Sequence, residues 1–254
     1  MKDLIKIKFE IKSHDGPGRL GKIENKETPI LLNKKDYKIA PNEGSSYNIQ
    51  REIAEKNVKN TISKSKKAIE SENPCEIAVI QGSKYIDLRI ECLKELEKLG
   101  YNAFIIANGD DLLLHPRELV EMIVSLRENI SPNNLLLFTF AEPSFIPFLS
   151  YLGIDGFFND SADYYSYLNV LMTPTKSYDL NEYGLYDNMS REEIAIYNEN
   201  TLDLVLREVR AHMKNRSLRN LVEERAASNP QNMTALRILD KNYQEYLLKN
   251  THLY

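Results

Sequence analysis

The sequence predicts an α/β fold: a parallel sheet, in the form of a barrel or part of one, with antiparallel strands before it and helices after it. Three observations lead there. Continuous apolar runs alternate with amphipathic segments from residue 77 to residue 158, the pattern of strands buried on both faces between covering helices. The first 32 residues alternate apolar and charged positions around a turn, which suits antiparallel strands. Long stretches of 3.6 period fill the chain from residue 190 onward.

Lys6 to Ile11 alternates, Asp15 to Arg19 (DGPGR) turns, and Leu20 to Glu24 returns. Glu27-Thr28-Pro29 leads into an apolar Ile30-Leu31-Leu32 strand, and residues 33–47 read as a polar loop. A polar helix spans Asn48 to Glu70, stopped by Asn73-Pro74. Strands follow at Ile77 to Ile80, Ala103 to Ala107, Leu135 to Phe140 and Gly156 to Phe158. Helices are expected at Ile86 to Leu99, His115 to Asn129 and Phe145 to Leu152. Ser190 with Glu193 is a capping box for a helix reaching Lys214. Leu218 to Ala227 and Met233 to Lys249 complete the helical end.

Composition narrows the function classes. With 254 residues the chain can bury a sizeable core. No apolar run approaches the roughly 18 residues a membrane span needs, and the N-terminus lacks the apolar centre of a secretion signal; a cytoplasmic protein is expected. Two cysteines, Cys75 and Cys92, are too few for a thiolate metal site, and Cys92 falls in a helix's apolar stripe. His14, His115, His212 and His252 are scattered, so no metal site and no cofactor is expected. Net charge is −4, but residues 1–100 carry 20 basic and 16 acidic groups, residues 101–199 carry 4 and 15, and residues 200–254 carry 9 and 6. A nucleic acid would therefore approach the two ends of the sequence, since the middle repels phosphate.

Four segments, in order, resemble the tRNA-guanine transglycosylase superfamily. Asp15, Gly16, Arg19, Gly21, Glu27, Thr28 and Pro29 match a D-G-x-x-R-x-G turn and E-T-P strand. Gln81, Gly82, Asp87, Leu88 and Arg89 match a V-Q-G-G-x-x-x-D-L-R segment, with Ser83 at the second glycine. Leu152, Gly153, Ile154, Asp155, Phe157, Asp160, Ser161 and Ala162 match an L-G-V-D-x-F-D-S-A segment, with one extra residue before Asp160. Leu206 to Pro230 matches the terminal helix pair, and the pattern is most similar to the transglycosylase-like part of archaeosine synthase in its split form.

The resemblance implies a TIM-type (β/α)8 barrel, degenerate or truncated, with one transglycosylase-like domain over 1–254: a β segment at 1–32, a barrel portion at 48–172, C-terminal helices at 190–250, and no PUA domain. It implies base exchange by two aspartates, one nucleophilic and one handling the proton. Asp160 matches the nucleophile. The D-S-G-G segment that supplies the second acid has no counterpart in residues 33–47. The glycine pair that admits the base falls on Ala107-Asn108. The family's C-x-C-x-x-C zinc cluster is absent, its histidine falls on Tyr197, and packing by Tyr183, Tyr186 and Tyr197 is expected in its place.

Three functions follow as expectations. The first is a non-catalytic scaffold or tRNA-positioning subunit for preQ0 modification in the tRNA D-loop, working with a separate catalytic, PUA-containing subunit and a radical-SAM protein. The second is an active transglycosylase in which Asp160 attacks the ribose C1′. The third is a protein-interaction module without an RNA role. Asp160 has an alternative reading as a helix N-cap, and Gln81-Gly82, a candidate for a purine edge, as a tight strand-to-helix turn. Arg207, Arg210 and Lys214 share a helix face that Arg216 and Arg219 extend; they could grip tRNA phosphates or be an ordinary solvated face. Asp110-Asp111 reads as loop surface. A partial barrel leaves edges that favour oligomerisation.

Overall fold

The computed structural model describes residues 6–184 and 189–249. Strands β1 (Phe9–Asp15), β2 (Gly18–Ile23) and β3 (Lys26–Thr28) form an antiparallel sheet in that order. Next come β4 (Ile30–Leu32), α1 (Arg51–Ile69), β5 (Ala78–Ile80), α2 (Ile86–Lys98), β6 (Ala103–Ile106), α3 (Gly109–Leu113) and α4 (Pro116–Asn129). The alternation continues with β7 (Leu135–Phe138), α5 (Ile146–Tyr151), β8 (Gly156–Phe158) and α6 (Asp160–Tyr167). A hairpin of β9 (Val170–Met172) and β10 (Ser177–Asp179) precedes α7 (Leu180–Tyr183). The helical end comprises α8 (Arg191–Lys214), α9 (Leu218–Ala227), α10 (Pro230–Asn242) and α11 (Gln244–Lys249).

The main sheet has the order β4-β8-β7-β6-β5, and every pairing in it is parallel. This is the expected α/β architecture, with five parallel strands among the described residues. The shortening has a location. Between β4 and β5 the described chain supplies only a 3₁₀ turn, α1 and an isolated bridge from Ile39 to Ile77. β4 and β5 are the edge strands, and no pairing joins them among the described residues.

Strand alternation divides the core in two. Ile80, Phe104, Ile106, Leu136, Phe138 and Phe157 point to the helices. Val79, Ile105, Leu137 and Phe158 point to the concave face, which Ile7, Phe9, Tyr37 and Ile39 cover. The N-terminal strands and the 33–47 stretch thus occupy space that further barrel strands would enclose. Burial on both faces explains why the strands read as unbroken apolar runs.

The capping box at α8 forms as expected: Glu193 N–H donates to Ser190 Oγ at 3.3 Å and Ser190 N–H to Glu193 Oε2 at 2.8 Å. Three expectations are corrected. Asp110-Asp111 lies in the first turn of α3, where carboxylates favour the helix dipole. The single helix expected from Met233 to Lys249 breaks at Tyr243 into α10 and α11. Tyr183 and Tyr197 are exposed and do not pack as a replacement for a zinc site, and Tyr186 lies outside the described residues. The neighbouring Asn198 does that packing. It is fully buried, accepts from Met172 N–H at 2.8 Å and donates to the Val170 carbonyl at 3.0 Å, pinning β9 to α8. No helix among the described residues is long and apolar enough to cross a membrane.

Candidate functional site at the carboxyl end of the sheet

Parallel strands direct the residues that follow them to one end of the sheet, the usual site of chemistry in such barrels. Here that end collects Lys34 after β4, Gln81-Gly82-Ser83 after β5, Asn108 after β6, Glu142 after β7 and Asp160 after β8. Three of these junctions hold non-glycine residues at positive φ: Ser83 at 53°, Asn108 at 60° and Phe140, after β7, at 56°. Such backbone costs free energy and is retained where surrounding structure enforces it.

At the Ser83 and Asn108 junctions Arg89 is the enforcing residue. Its fully buried guanidinium donates to the carbonyls of Ser83 at 2.8 Å, Ile80 at 3.2 Å and Ala107 at 2.9 Å, and to Asn108 Oδ1 at 3.1 Å. It ties the ends of β5 and β6 together. Burial without a counter-ion pulls its pKa down to about 10. Gly82, at φ +147°, runs across this side chain, and a Cβ there would sit 2.7 Å from Arg89 Cγ. The D-L-R match thus marks a brace under the site, a role its residue type alone did not announce.

Asp160 occupies the first turn of α6, behind Asn159 at the N-cap, and its side chain makes no cap. Its Oδ2 accepts from Lys34 Nζ at 3.2 Å, while Oδ1 is buried without a described hydrogen-bond partner. Gln81 is buried, donates from Nε2 to Asn42 Oδ1 at 2.9 Å and leaves Oε1 unmatched. Lys34 and Asn42 both line a cavity of about 300 Å³ floored by Val79, Ile105 and Phe158. The hydrogen-bonding partners of these two residues, each of which keeps one orphan acceptor, thus line a small, largely apolar space. It suits a planar group that brings its own N–H donors.

One acidic residue at this end escaped the sequence reading. Glu142 accepts from Ser177 Oγ at 3.0 Å and Tyr165 Oη at 3.5 Å, and burial pushes its carboxyl above the usual range. The Tyr165 hydroxyl is pushed up by the same burial. A charge inside the apolar run Ala141 to Phe148 was the available signal.

The remaining matched residues work at the opposite end. Arg19 reaches Asp155 at 2.8 and 2.5 Å, and Arg127 reaches the same carboxylate at 2.7 Å. Asp15 accepts from Leu218 N–H at 2.8 Å, at the start of α9. The basic residues expected to grip phosphate also lie away from Asp160. α8 starts near the carboxyl end, where Glu199 meets Asn159 at 3.1 Å, and runs to the base, where Arg210 donates to the Pro29 carbonyl at 2.6 Å. Lys214 pairs with Glu27 at 2.7 Å, Arg207 pairs with Asp203, and Arg219 pairs with Asp240 at 2.6 Å. Arg216 takes φ +55° close to Asp15, whose charged form it favours. About 22 Å of helix separates Glu199 from Lys214.

The family model described as queuine tRNA-ribosyltransferase matches residues 36–193. The chain belongs to this transglycosylase family. Its similar proteins include an archaeosine synthase of Methanocaldococcus jannaschii, 30% identical over 68% of this chain and 27% of the relative. A tRNA-guanine(15) transglycosylase of Thermococcus kodakarensis is 30% identical over 79% of this chain and 38% of the relative. From the same organism, an archaeosine synthase subunit alpha is 24% identical over 96% of this chain and 43% of the relative. The chain thus spans well under half the length of each. No group of three or more His, Cys, Asp or Glu among the described residues is placed to hold a metal ion.

Proposed function

We propose that this chain is the transglycosylase-like subunit of an archaeosine-synthase-type assembly that modifies tRNA, and that it positions substrate for chemistry performed on another chain. The observation that carries the reading is the carboxyl end itself. Asp160 is met by Lys34, and the stretch between β4 and β5, where the family's second acid would lie, is a 3₁₀ turn and a helix. Asp160 is met by a lysine, and Glu142, the other buried carboxylate at this end, is engaged by Ser177 and Tyr165, so neither stands free for the separate proton-handling that base exchange needs. The similarity to an archaeosine synthase subunit alpha along nearly the whole chain supports a divided enzyme.

On this reading the roughly 300 Å³ cavity receives the nucleobase, with Gln81-Gly82 and Asp160 held to its lining through Asn42 and Lys34. Arg207, Arg210, Lys214, Arg216 and Arg219 are secondary contacts at the base. The working partners are a catalytic, PUA-containing subunit and a radical-SAM protein, and the setting is cytoplasmic. The test is reconstitution. Amine addition to preQ0 in tRNA should require both this chain and the separate catalytic subunit, and the isolated chain should incorporate no labelled guanine into tRNA. The unmatched Asp160 Oδ1 favours the alternative, an active transglycosylase. Guanine incorporation by the isolated chain, lost in Asp160→Asn, would establish that alternative instead.

A further inference from the structure

A groove of about 460 Å³ lies between α4 and α10, lined by Arg117, Thr234, Arg237, Ile238, Lys241 and Asn242. Three of the six are cations, two can donate further hydrogen bonds, and none is acidic. Glu118 and Glu121, on the same helix as Arg117, do not line it. The three cations are exposed and form no ion pair with a described residue. Elsewhere the pattern reverses: Arg207, Lys214 and Arg219 already hold carboxylates.

Arg117 is also placed against local stability. It follows Pro116 at the start of α4, where the helix dipole is positive and a cation is disfavoured. A choice that works against its own helix points to a gain outside the fold. A polyanion laid across the groove would meet Arg117 and the helix terminus together, and both interactions would then be favourable. Arg237 and Lys241 stand one turn apart on α10 and extend the line by about 6 Å.

The Arg117 side of the groove lies toward the carboxyl end of the sheet. α4 starts on the carboxyl side of β6, the end that holds Gln81 and Asp160. α10 is fixed beside it by Asn232, which donates to the Ser144 carbonyl, after β7, at 2.8 Å. We propose that the α4–α10 groove, and not the α8–α9 cations, is the principal binding site for an RNA phosphodiester backbone on this chain. This deepens the tRNA-positioning reading and rests on it.

The test is tRNA binding, followed by fluorescence anisotropy across a salt series, for the full chain and for Arg117→Ala/Arg237→Ala/Lys241→Ala. The substitutions are at exposed sites and should leave the melting temperature unchanged or slightly raised, since Arg117 opposes its helix dipole. Each lost phosphate contact lowers the slope of log K against log salt by about 0.7–0.9. The triple variant should therefore lose about two units of slope and at least tenfold in affinity near 0.1 M salt, whereas Arg207→Ala/Lys214→Ala should lose less. If both proteins bind tRNA equally, the groove is refuted and the subunit reading stands. If an unrelated RNA hairpin binds as tightly as tRNA and the triple variant loses both, the backbone site is supported while the tRNA reading fails. If neither RNA binds, the groove proposal fails, and binding of polyglutamate lost in the triple variant would assign it to an acidic protein segment instead.

Discussion

The Arg19 guanidinium grips the Asp155 carboxylate at 2.8 and 2.5 Å across 136 residues of sequence, and both side chains are buried. Arg127 adds a second cation, and the Leu136 N–H donates to the same carboxylate at 2.8 Å. The cluster joins the N-terminal hairpin, α4 and the entrance to β8. Removing one member leaves buried charge uncompensated, which costs about 3–5 kcal/mol. Asp155→Ala should lose that much stability in urea denaturation. A loss below about 1 kcal/mol would show that the cluster is not a structural tie.

Gly82→Ala should be destabilising by about 1–3 kcal/mol, since it combines unfavourable φ with collision against Arg89. The cost should shrink in an Arg89→Ala background, because part of it is that collision. A double-mutant cycle measures the coupling. Equal costs in both backgrounds would assign the effect to the unfavourable φ and to contact with the backbone at Leu88 and Arg89, with no share from the Arg89 side chain.

Glu142 yields a pH prediction. Burial raises its folded-state pKa above the unfolded value of about 4.3. The native state then holds the proton more tightly, so stability falls as pH rises from the unfolded value through the folded one. Below the unfolded pKa there is no penalty, and above the folded pKa the penalty is complete. Glu142→Gln should therefore gain in melting temperature, relative to the unmodified chain, between pH 4 and pH 7.5. A constant difference across that range would contradict the burial argument.

Ser190→Ala should cost about 1 kcal/mol by removing half of the reciprocal cap on α8. Thermal melts read the effect. Ser190→Asp should restore most of it, since aspartate also serves as an N-cap and suits the dipole.

Asp160→Asn distinguishes the two readings of the carboxyl end. With the complete assembly, a positioning subunit should keep its modification rate within about threefold, because the carboxylate performs no step. A fall of a hundredfold or more, the range of a lost acid or base, would make Asp160 catalytic.

Much of this protein was legible in the sequence, for local reasons. Unbroken apolar runs such as Ala103–Ile106 and Leu135–Phe138 mark strands buried on both faces, and Ser190 with Glu193 announces its own helix start. That no D-S-G-G or C-x-C-x-x-C stretch occurs in these 254 residues could likewise be read without any structure, because a motif is a property of the order of residues. What remained hidden depends on long-range approach. Arg89 and Asp110 are both charged residues on helical segments, yet one is a buried brace and the other an exposed first-turn acid. The basic residues of α8 and α9 read either as a phosphate grip or as a solvated face, and only packing brought Glu27 against Lys214 and Asp240 against Arg219. Arg117, Arg237 and Lys241, more than a hundred residues apart at the extremes, gained significance only when α4 and α10 packed side by side. Periodicity and capping act over a few residues and are written in order along the chain. Which charge meets which is decided by tertiary packing, because electrostatic free energy depends on distance and burial in space.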